Sequence, residues 1–529
     1  MSDQPRERFV PSTPFEDPGA SSPFSDAPEV VRQPSKIAEG WGPGPRAIGR
    51  AKTAVLFIAF ALFCALVGFN MAFFPPLFIF GALGGILFGS VVLLRPFVGV
   101  VLYAALFFLR PAEMFPVLST LHLERILGLL TLIAMCFEMY RKDGHIYLDH
   151  SKQTKWLWGF VFVLAVTIPT SYWPGRTSEV LFNFLKTMAF YLMIVQLVNT
   201  RARLKVFTFT YIAFIAYVGF GAIRSFMAGG FMHAQGIDRA VGETSAGGDP
   251  NSLAVTLGTT LPFVLAYMGI FRSLWARLLL LLCGSIFLWG LGLSGSRSGV
   301  LGLMTAFFVY WLLSKRKLLL GFVGAFALLL AFFALPESYQ NRYRTITSSE
   351  LDESSQLRLS TWGAGMRMVL DRPILGVGPG AFGSAHFKYR GSWLQPHSLY
   401  VQVPAEMGLV GLFVFGGFIV AVIGLNRRTY RMMKDKEGWD LEKGVLQATF
   451  IGFCFLFASS IFGHSLFRYT WYFYAALNLA VLRVFLDHPD NKNLAEDGSE
   501  LIHADSGSNP ALIHDAARSA ENKEIGANP

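Results

Sequence analysis

Apolar runs of close to twenty residues recur from about residue 53 to residue 486, divided by short polar connections. A helix of about twenty residues, rising 1.5 Å per residue, spans the ~30 Å hydrocarbon core of a bilayer. By this measure the chain holds about 14 candidate spans. They are 53–70, 73–94, 97–110, 117–140, 156–173, 179–199, 204–226, 250–271, 275–293, 298–313, 317–335, 399–425, 446–464 and 468–486. The 97–110 run is short and reads equally as a re-entrant piece, which would lower the count to 12 or 13. In lipid every backbone polar group must be satisfied within the protein, so only helices or a closed barrel can cross. The runs are continuously apolar and too long for barrel strands. The predicted fold class is therefore an all-α polytopic membrane protein with one large loop, 336–396.

The polar connections set an orientation. "YRKDGHIYLDHSKQTK", "NTRARLK", "FRSLWAR", "SKRK" and "NRRTYRMMKDKEGW" all fall on one side. The positive-inside rule makes that side cytoplasmic, with both termini on it. "RPAEMFP", "SYWPGRTSE", the segment ending "GGDPN", "SGSRSG" and the 336–396 loop fall outside. Residues 1–50, rich in Pro, Ser and charge, and the tail 487–529 are expected to be disordered. No signal peptide fits, because the first apolar run starts only near Thr53. Between these ends the expected parts are a helical bundle over 51–335, the loop 336–396 with a surface helix, and further membrane helices over 397–486.

Composition agrees with this picture. The chain is 53% hydrophobic and 15% charged, where a soluble chain would carry about 25% charge. The net charge of +10 reports cytoplasmic loops, not nucleic-acid binding. Cys64, Cys136, Cys283 and Cys454 each lie in an apolar run with no CxxC spacing, as small packing residues do. No His/Cys/Asp cluster has metal-ligand spacing, so neither metal nor cofactor is expected.

The outer side is where chemistry is expected. Its basic residues are mostly arginine: Arg176, Arg224, Arg239, Arg297, Arg342, Arg344, Arg358, Arg367, Arg372, Arg390 and Arg468, with Lys388 the one clear loop lysine. Arginine presents a rigid donor fork that matches phosphate oxygens and does not lose its charge. Singly, each reads as headgroup snorkelling or a loop ion pair; as a set they point to an anionic ligand. In "GLSGSRSGVLGL" (291–302), Arg297 stands between serines at a helix entrance, with Ser294 and Ser296 as candidate N-caps. Free N–H groups, the positive end of the helix dipole and a guanidinium together make an anion site. In the large loop, Leu359, Trp362, Met366 and Val369 or Leu370 recur at helical spacing, which predicts a surface helix starting at Arg358 and ending near Arg372. "GVGPGAF" (376–382) is a tight turn whose glycines can expose N–H groups, but it lacks a P-loop's GK[ST] ending.

"LQPHSLYVQVPAEMGLVGLF" (394–413) places His397 at the mouth of a span. An imidazole titrates near neutrality and can take a proton from a hydroxyl. Glu406 lies nine residues on, which at ~100° per residue is near the opposite side of an ideal helix. The two form no same-face pair unless the helix breaks near Pro404 or Gly408. Lys186, with Glu179 on about the same face, is an intramembrane charge and so a binding candidate or half of an ion pair. Asp249 or Asn251 in "GGDPNSLA" can cap the following helix, Arg110, Glu113, Glu124 and Arg125 are expected to pair mutually, and His464 with Arg468 can join the site.

"SGSRSG", then Arg358 and Trp362 leading into "RPILGVGPGAF", then "HSLYVQVPAEMGLVGLF", resemble the signature of the O-antigen ligase and polymerase superfamily over about 290–415. "LRPAEMFP" and "DPNSLA" resemble its branch of exosortase-associated O-glycosylation ligases. The resemblance implies a bacterial inner-membrane enzyme with a helical fold similar to GT-C glycosyltransferases. Such an enzyme moves a glycan from undecaprenyl pyrophosphate to a hydroxyl of a lipid, protein or polysaccharide at the periplasmic face, without metal and with inversion. It implies that Arg297 and Arg358 bind the pyrophosphate and that His397 accepts or orients the acceptor proton. Arg176, Lys186, Ser296, Arg372, Glu406 and Arg468 are the further candidates for contact with substrate or membrane lipid. A polymerase of the same superfamily fits the same motifs. From a different class, a lipid-linked sugar flippase or secondary transporter would place its charges at the membrane midplane, whereas a ligase gathers them under the outer loop.

Overall fold

The computed structural model describes residues 76–234, 236–242, 248–314, 317–344 and 353–491. The expected 53–70 span, the 1–50 segment and the tail beyond 491 lie outside the described residues. The chain divides into a unit ending at Ala82 and one running from Leu83 onward; everything below concerns the second.

The protein is an all-α polytopic membrane protein. Among the described residues, six helices are long and apolar enough to cross a membrane: Pro174–Leu197, Arg201–Met227, Pro250–Ile270, Leu274–Leu293, Leu399–Met433 and Asp440–Phe462. A seventh span exists if the pair Gly84–Leu94 and Pro96–Leu109 is counted as one; the two are bent by 119° at Arg95, where Pro96 opens the second helix. This is the short run that the apolar pattern left open as re-entrant. Shorter or more polar helices stand at other expected spans, among them Lys152–Thr167, Arg297–Leu313 and Tyr469–Leu486.

Tyr469–Leu486 is the central helix, buried continuously from Thr470 to Leu482. A helix that packs on all sides belongs in the interior, and Pro174–Leu197, Asp440–Ser459 and Leu399–Met433 surround it. Lipid supplies no hydrophobic drive between helices, so close packing and internal hydrogen bonds hold them together. The ring of Phe455 fills the space left by Gly258 and Gly302 on two neighbouring helices; a Cβ at Gly302 would lie 2.7 Å from it. Asn426 donates to the Leu446 carbonyl (2.9 Å) and to Asn478 Oδ1 (3.1 Å), and Thr449 donates to the same Asn478 oxygen (2.6 Å). At the other end of the central helix, Arg483 pairs with fully buried Asp149 at 3.0 Å. By contrast Leu278, Leu281 and Leu282 on the Leu274–Leu293 helix are exposed, as a lipid-facing side requires.

The large loop carries three helices, Glu337–Arg344, Glu353–Asp371 and Phe382–Arg390. The second starts at least five residues before the expected Arg358, because Glu353, Ser354 and Ser355 continue the helix. Its Thr361, Ala364 and Met368 pack on the protein, while Leu359, Met366 and Leu370 stay exposed, the arrangement of a helix lying on a membrane surface. The segment after Met227 contains an unpredicted hairpin, Phe231–Ala234 paired antiparallel with Ile237–Ala240.

Candidate functional site

The site begins with a break in one helix. Leu399–Met433 is interrupted at Gly408, whose φ of 64° and ψ of −165° no helix has. The turn after Arg372 runs alongside the break and satisfies its backbone: Val377 N–H donates to the Ala405 carbonyl (2.9 Å), Gly378 N–H to the Glu406 carbonyl (2.9 Å), and Leu409 N–H to the Pro373 carbonyl (2.7 Å). Irregular backbone at membrane depth is tolerated only when buried in protein like this. A Cβ on Gly408 would collide with the Ile374 carbonyl. Gly376, Gly378 and Gly380 also have positive φ. The buried Glu406 carboxylate accepts from the Gly380 and Phe382 N–H groups and from Gln402 Nε2 at 3.2 Å. The glycine turn thus does present N–H groups to an anion, and the anion is the chain's own carboxylate. Gln402 Oε1 in turn accepts from Leu466 N–H (3.2 Å), which ties the break to the segment carrying His464.

His397 lies just before this helix with φ of 44°, a conformation that costs a non-glycine residue of order 1–3 kcal/mol. Its neighbours hold it there. Trp362 donates from Nε1 to the Pro396 carbonyl (3.0 Å) and stacks on Phe462 (6.2 Å). Arg358, one turn earlier on the same helix, sits over the Phe462 ring at 5.4 Å. The His397 and His464 rings meet edge to face at 5.1 Å. Burial, then the His464 and Arg358 charges, push the His397 pKa down to about 4, against an opposing pull from Asp249. Burial lowers that of His464 as well. At neutral pH His397 is therefore an uncharged imidazole able to accept a proton. Glu406 faces the glycine turn instead.

Four helix N-termini converge around this pair. Asp249 caps Pro250–Ile270, accepting from Ser252 N–H (2.8 Å) and Asn251 N–H (3.3 Å). Ser296 caps Arg297–Leu313 through Gly299 N–H (3.2 Å) and donates to Asn251 Oδ1 (2.8 Å). Buried Arg239 joins the two ends, donating to the Ser294 carbonyl (2.8 Å) and Asn251 Oδ1 (3.1 Å). Arg468, which precedes Tyr469–Leu486, donates to the Ser252 carbonyl (2.9 Å) and Thr256 Oγ1 (2.6 Å). Ser398 precedes Leu399–Met433 beside His397. Each helix N-terminus contributes the positive end of its dipole to this region. Of the two expected caps only Ser296 starts a helix. Ser294 closes the preceding one, its hydroxyl donating to the Leu291 carbonyl (2.6 Å), because Gly295 with φ of 57° separates the two.

Beside this region is a cavity of about 780 Å³. It brings together Arg176, Lys186, Glu406 and Arg468, and His464 lines it too. His397, Arg297, Arg358, Ser296 and Arg372 do not line it; His397 reaches it through His464. Arg176 pairs with Glu179 at 2.7 Å, and Lys186 donates to Asn183 (3.1 Å) instead of pairing with Glu179. Arg110 pairs with Glu113 at 2.9 Å, as expected. Arg372 stacks on Tyr172 at 4.4 Å and donates to the Thr170 carbonyl, away from the cavity. His464 and Arg468 lie deep in the protein yet keep accessible surface, because the cavity reaches them. The sequence signal for His464 and Asp249 was weak: one is a lone histidine in a short turn, the other a cap residue like many others. Among the described residues no group of three or more His, Cys, Asp or Glu is placed to hold a metal.

A family model described as O-antigen ligase matches residues 279–416. The matched stretch includes Arg297, Arg358, His397 and Glu406 and stops short of His464 and Arg468. Among curated proteins, none matches the chain.

Proposed function

From the match of residues 279–416 to the O-antigen ligase family model, we propose that this protein is an enzyme that transfers a glycan from undecaprenyl pyrophosphate to an acceptor hydroxyl. The reaction runs at the periplasmic face of the bacterial inner membrane, with both termini cytoplasmic. Neutral His397 takes the acceptor proton. The hydroxyl oxygen attacks the anomeric carbon as the bond from that carbon to the pyrophosphate oxygen breaks, which inverts the centre. Arg297 and Arg358 neutralise the departing diphosphate, so no metal is required. The polyprenyl chain lies against lipid-facing helices. The exosortase-associated branch remains our assignment from the "LRPAEMFP" and "DPNSLA" motifs.

One observation carries the reading: a neutral histidine stands among four helix N-termini, with arginines beside it. That arrangement suits a developing diphosphate anion and a proton leaving an alcohol. It also favours a transferase over a transporter, since His397, Arg297 and Arg468 sit at or before the starts of apolar helices and not within their middles, and Arg358 lies on a helix of the large loop. A polymerase would differ only in using another lipid-linked glycan as acceptor. The test is glycan transfer from a lipid-pyrophosphate donor in proteoliposomes, with wild type, His397→Ala and Arg297→Ala at equal protein. Loss of transfer in both variants, with the lipid-linked donor accumulating, is the expected result. Full transfer in both would remove the assigned roles.

A further inference from the structure

Among the described residues Arg468 forms no ion pair, and Asp249 acts on it only at a distance. Its guanidinium lies deep in the protein on the cavity wall. Its Nε is buried without a hydrogen-bond partner, and its described hydrogen bonds go to a carbonyl and a hydroxyl, both neutral. The charged or ionisable groups whose field reaches it are Tyr469, Tyr211, Tyr474 and Asp249. The Asp249 oxygens are already committed to the N–H groups of Asn251 and Ser252. The other acids on the cavity wall are Glu406, held by Gly380, Phe382 and Gln402, and Glu124. A buried cation without a partner is costly, and an anion entering the cavity would remove that cost.

The rest of the wall specifies what carries the anion. Trp173 and Trp393 meet edge to face at 5.6 Å, both line the cavity, and each keeps about half its surface exposed, 44% and 51%. Gln395 and Asn183 add amide donors and acceptors. Indole faces take the C–H face of a pyranose ring and amides take its hydroxyls. His464 stands between this cavity and His397.

We infer that the cavity holds the acceptor, and that the acceptor presents a sugar bearing a carboxylate or phosphate, paired to Arg468, with its reacting hydroxyl directed past His464 toward His397. This rests on the transferase reading above, but its test does not need turnover.

The full-length protein in phosphatidylcholine nanodiscs is titrated with glucuronic acid, glucose 6-phosphate, glucose and inorganic phosphate, read by saturation-transfer NMR on the sugars and by competition. Both charged sugars are expected to bind at least tenfold more tightly than glucose. Arg468→Gln should abolish that preference, and Arg468→Lys should keep part of it. Each variant is checked for monodispersity, and the wild-type selectivity stands even where a variant fails to fold. Equal binding of glucose and glucuronic acid would overturn the proposal. So would inorganic phosphate binding with no sugar competing, which would mark a diphosphate site for the donor. A charge-selective result alongside failed transfer would leave the cavity assignment standing and remove the transferase reading; intact transfer without sugar selectivity would do the reverse.

Discussion

Acidifying the transfer assay tests the state of His397 directly. An exposed histidine titrates near 6.5, whereas burial, His464 and Arg358 bring this one to about 4. At pH 5.5 an ordinary imidazole base would be about 9% uncharged and this one about 97%, roughly a tenfold difference in active enzyme. The acid limb of kcat/KM, which reports the free enzyme, should therefore lie near pH 4 and leave activity nearly flat from pH 5.5 to 7. Because the two rings touch, the limb belongs to the pair and not to one ring. Replacing His464 by Gln removes one of the charges that depress His397, so the limb should move upward. Asp249→Asn removes the group that opposes the depression, so the limb should move downward. The assay is initial-rate transfer at subsaturating acceptor between pH 4 and 8, with wild type and both variants. A wild-type limb centred near 6.5, or shifts of the wrong sign, would refute the placement of His397 as a buried neutral base. Folding stability carries the same signature. The folded value lies below the unfolded one, so folding favours the uncharged ring; that contribution is complete above about pH 6.5 and is lost as pH falls from there through 4.

Three substitutions test the frame around the site, each read by thermal unfolding of purified protein in detergent and by transfer rate. Gly408→Ala places a Cβ against the Ile374 carbonyl at positive φ. It should cost about 3 kcal/mol or more and abolish transfer; an unchanged melting temperature would mean the break is not rigid. Glu406→Gln leaves the Gly380 and Phe382 N–H groups facing a neutral side chain. It should cost about 1–3 kcal/mol, and wild-type stability would show that the turn does not need the charge. Asp149→Ala strands Arg483 beside a buried vacancy, far along the chain from His397. A loss of about 3–5 kcal/mol is expected, with transfer per folded molecule retained; loss of transfer without loss of stability would contradict that.

The membrane helices were legible because apolar length alone marks them. The 250–271 run became Pro250–Ile270 and the 468–486 run became Tyr469–Leu486, with Pro250 and Pro174 at helix starts where a missing N–H costs nothing. Length does not say what a helix faces. That Tyr469–Leu486 is central follows from packing partners, and the many aromatic and polar residues in it lowered its apolar signal. The site was half legible for a related reason. Arg297 at a helix entrance, Arg358 at the expected start of a surface helix and His397 at the mouth of a span are candidates that local pattern and family resemblance could name. Which groups meet depends on tertiary closure: Trp362 fixing Pro396, Phe462 lying under both Arg358 and Trp362, and Gln402 reaching Leu466. None of these contacts leaves a periodic trace. Glu406 shows where local reasoning stops. Helical geometry set it near the opposite side from His397 unless the helix breaks near Pro404 or Gly408, and the helix does break at Gly408. The reason for the break lies in the glycine turn, about thirty residues earlier, whose N–H groups need an acceptor. The break is thus where one buried carboxylate and one irregular turn satisfy each other, and it fixes the start of the helix that carries His397.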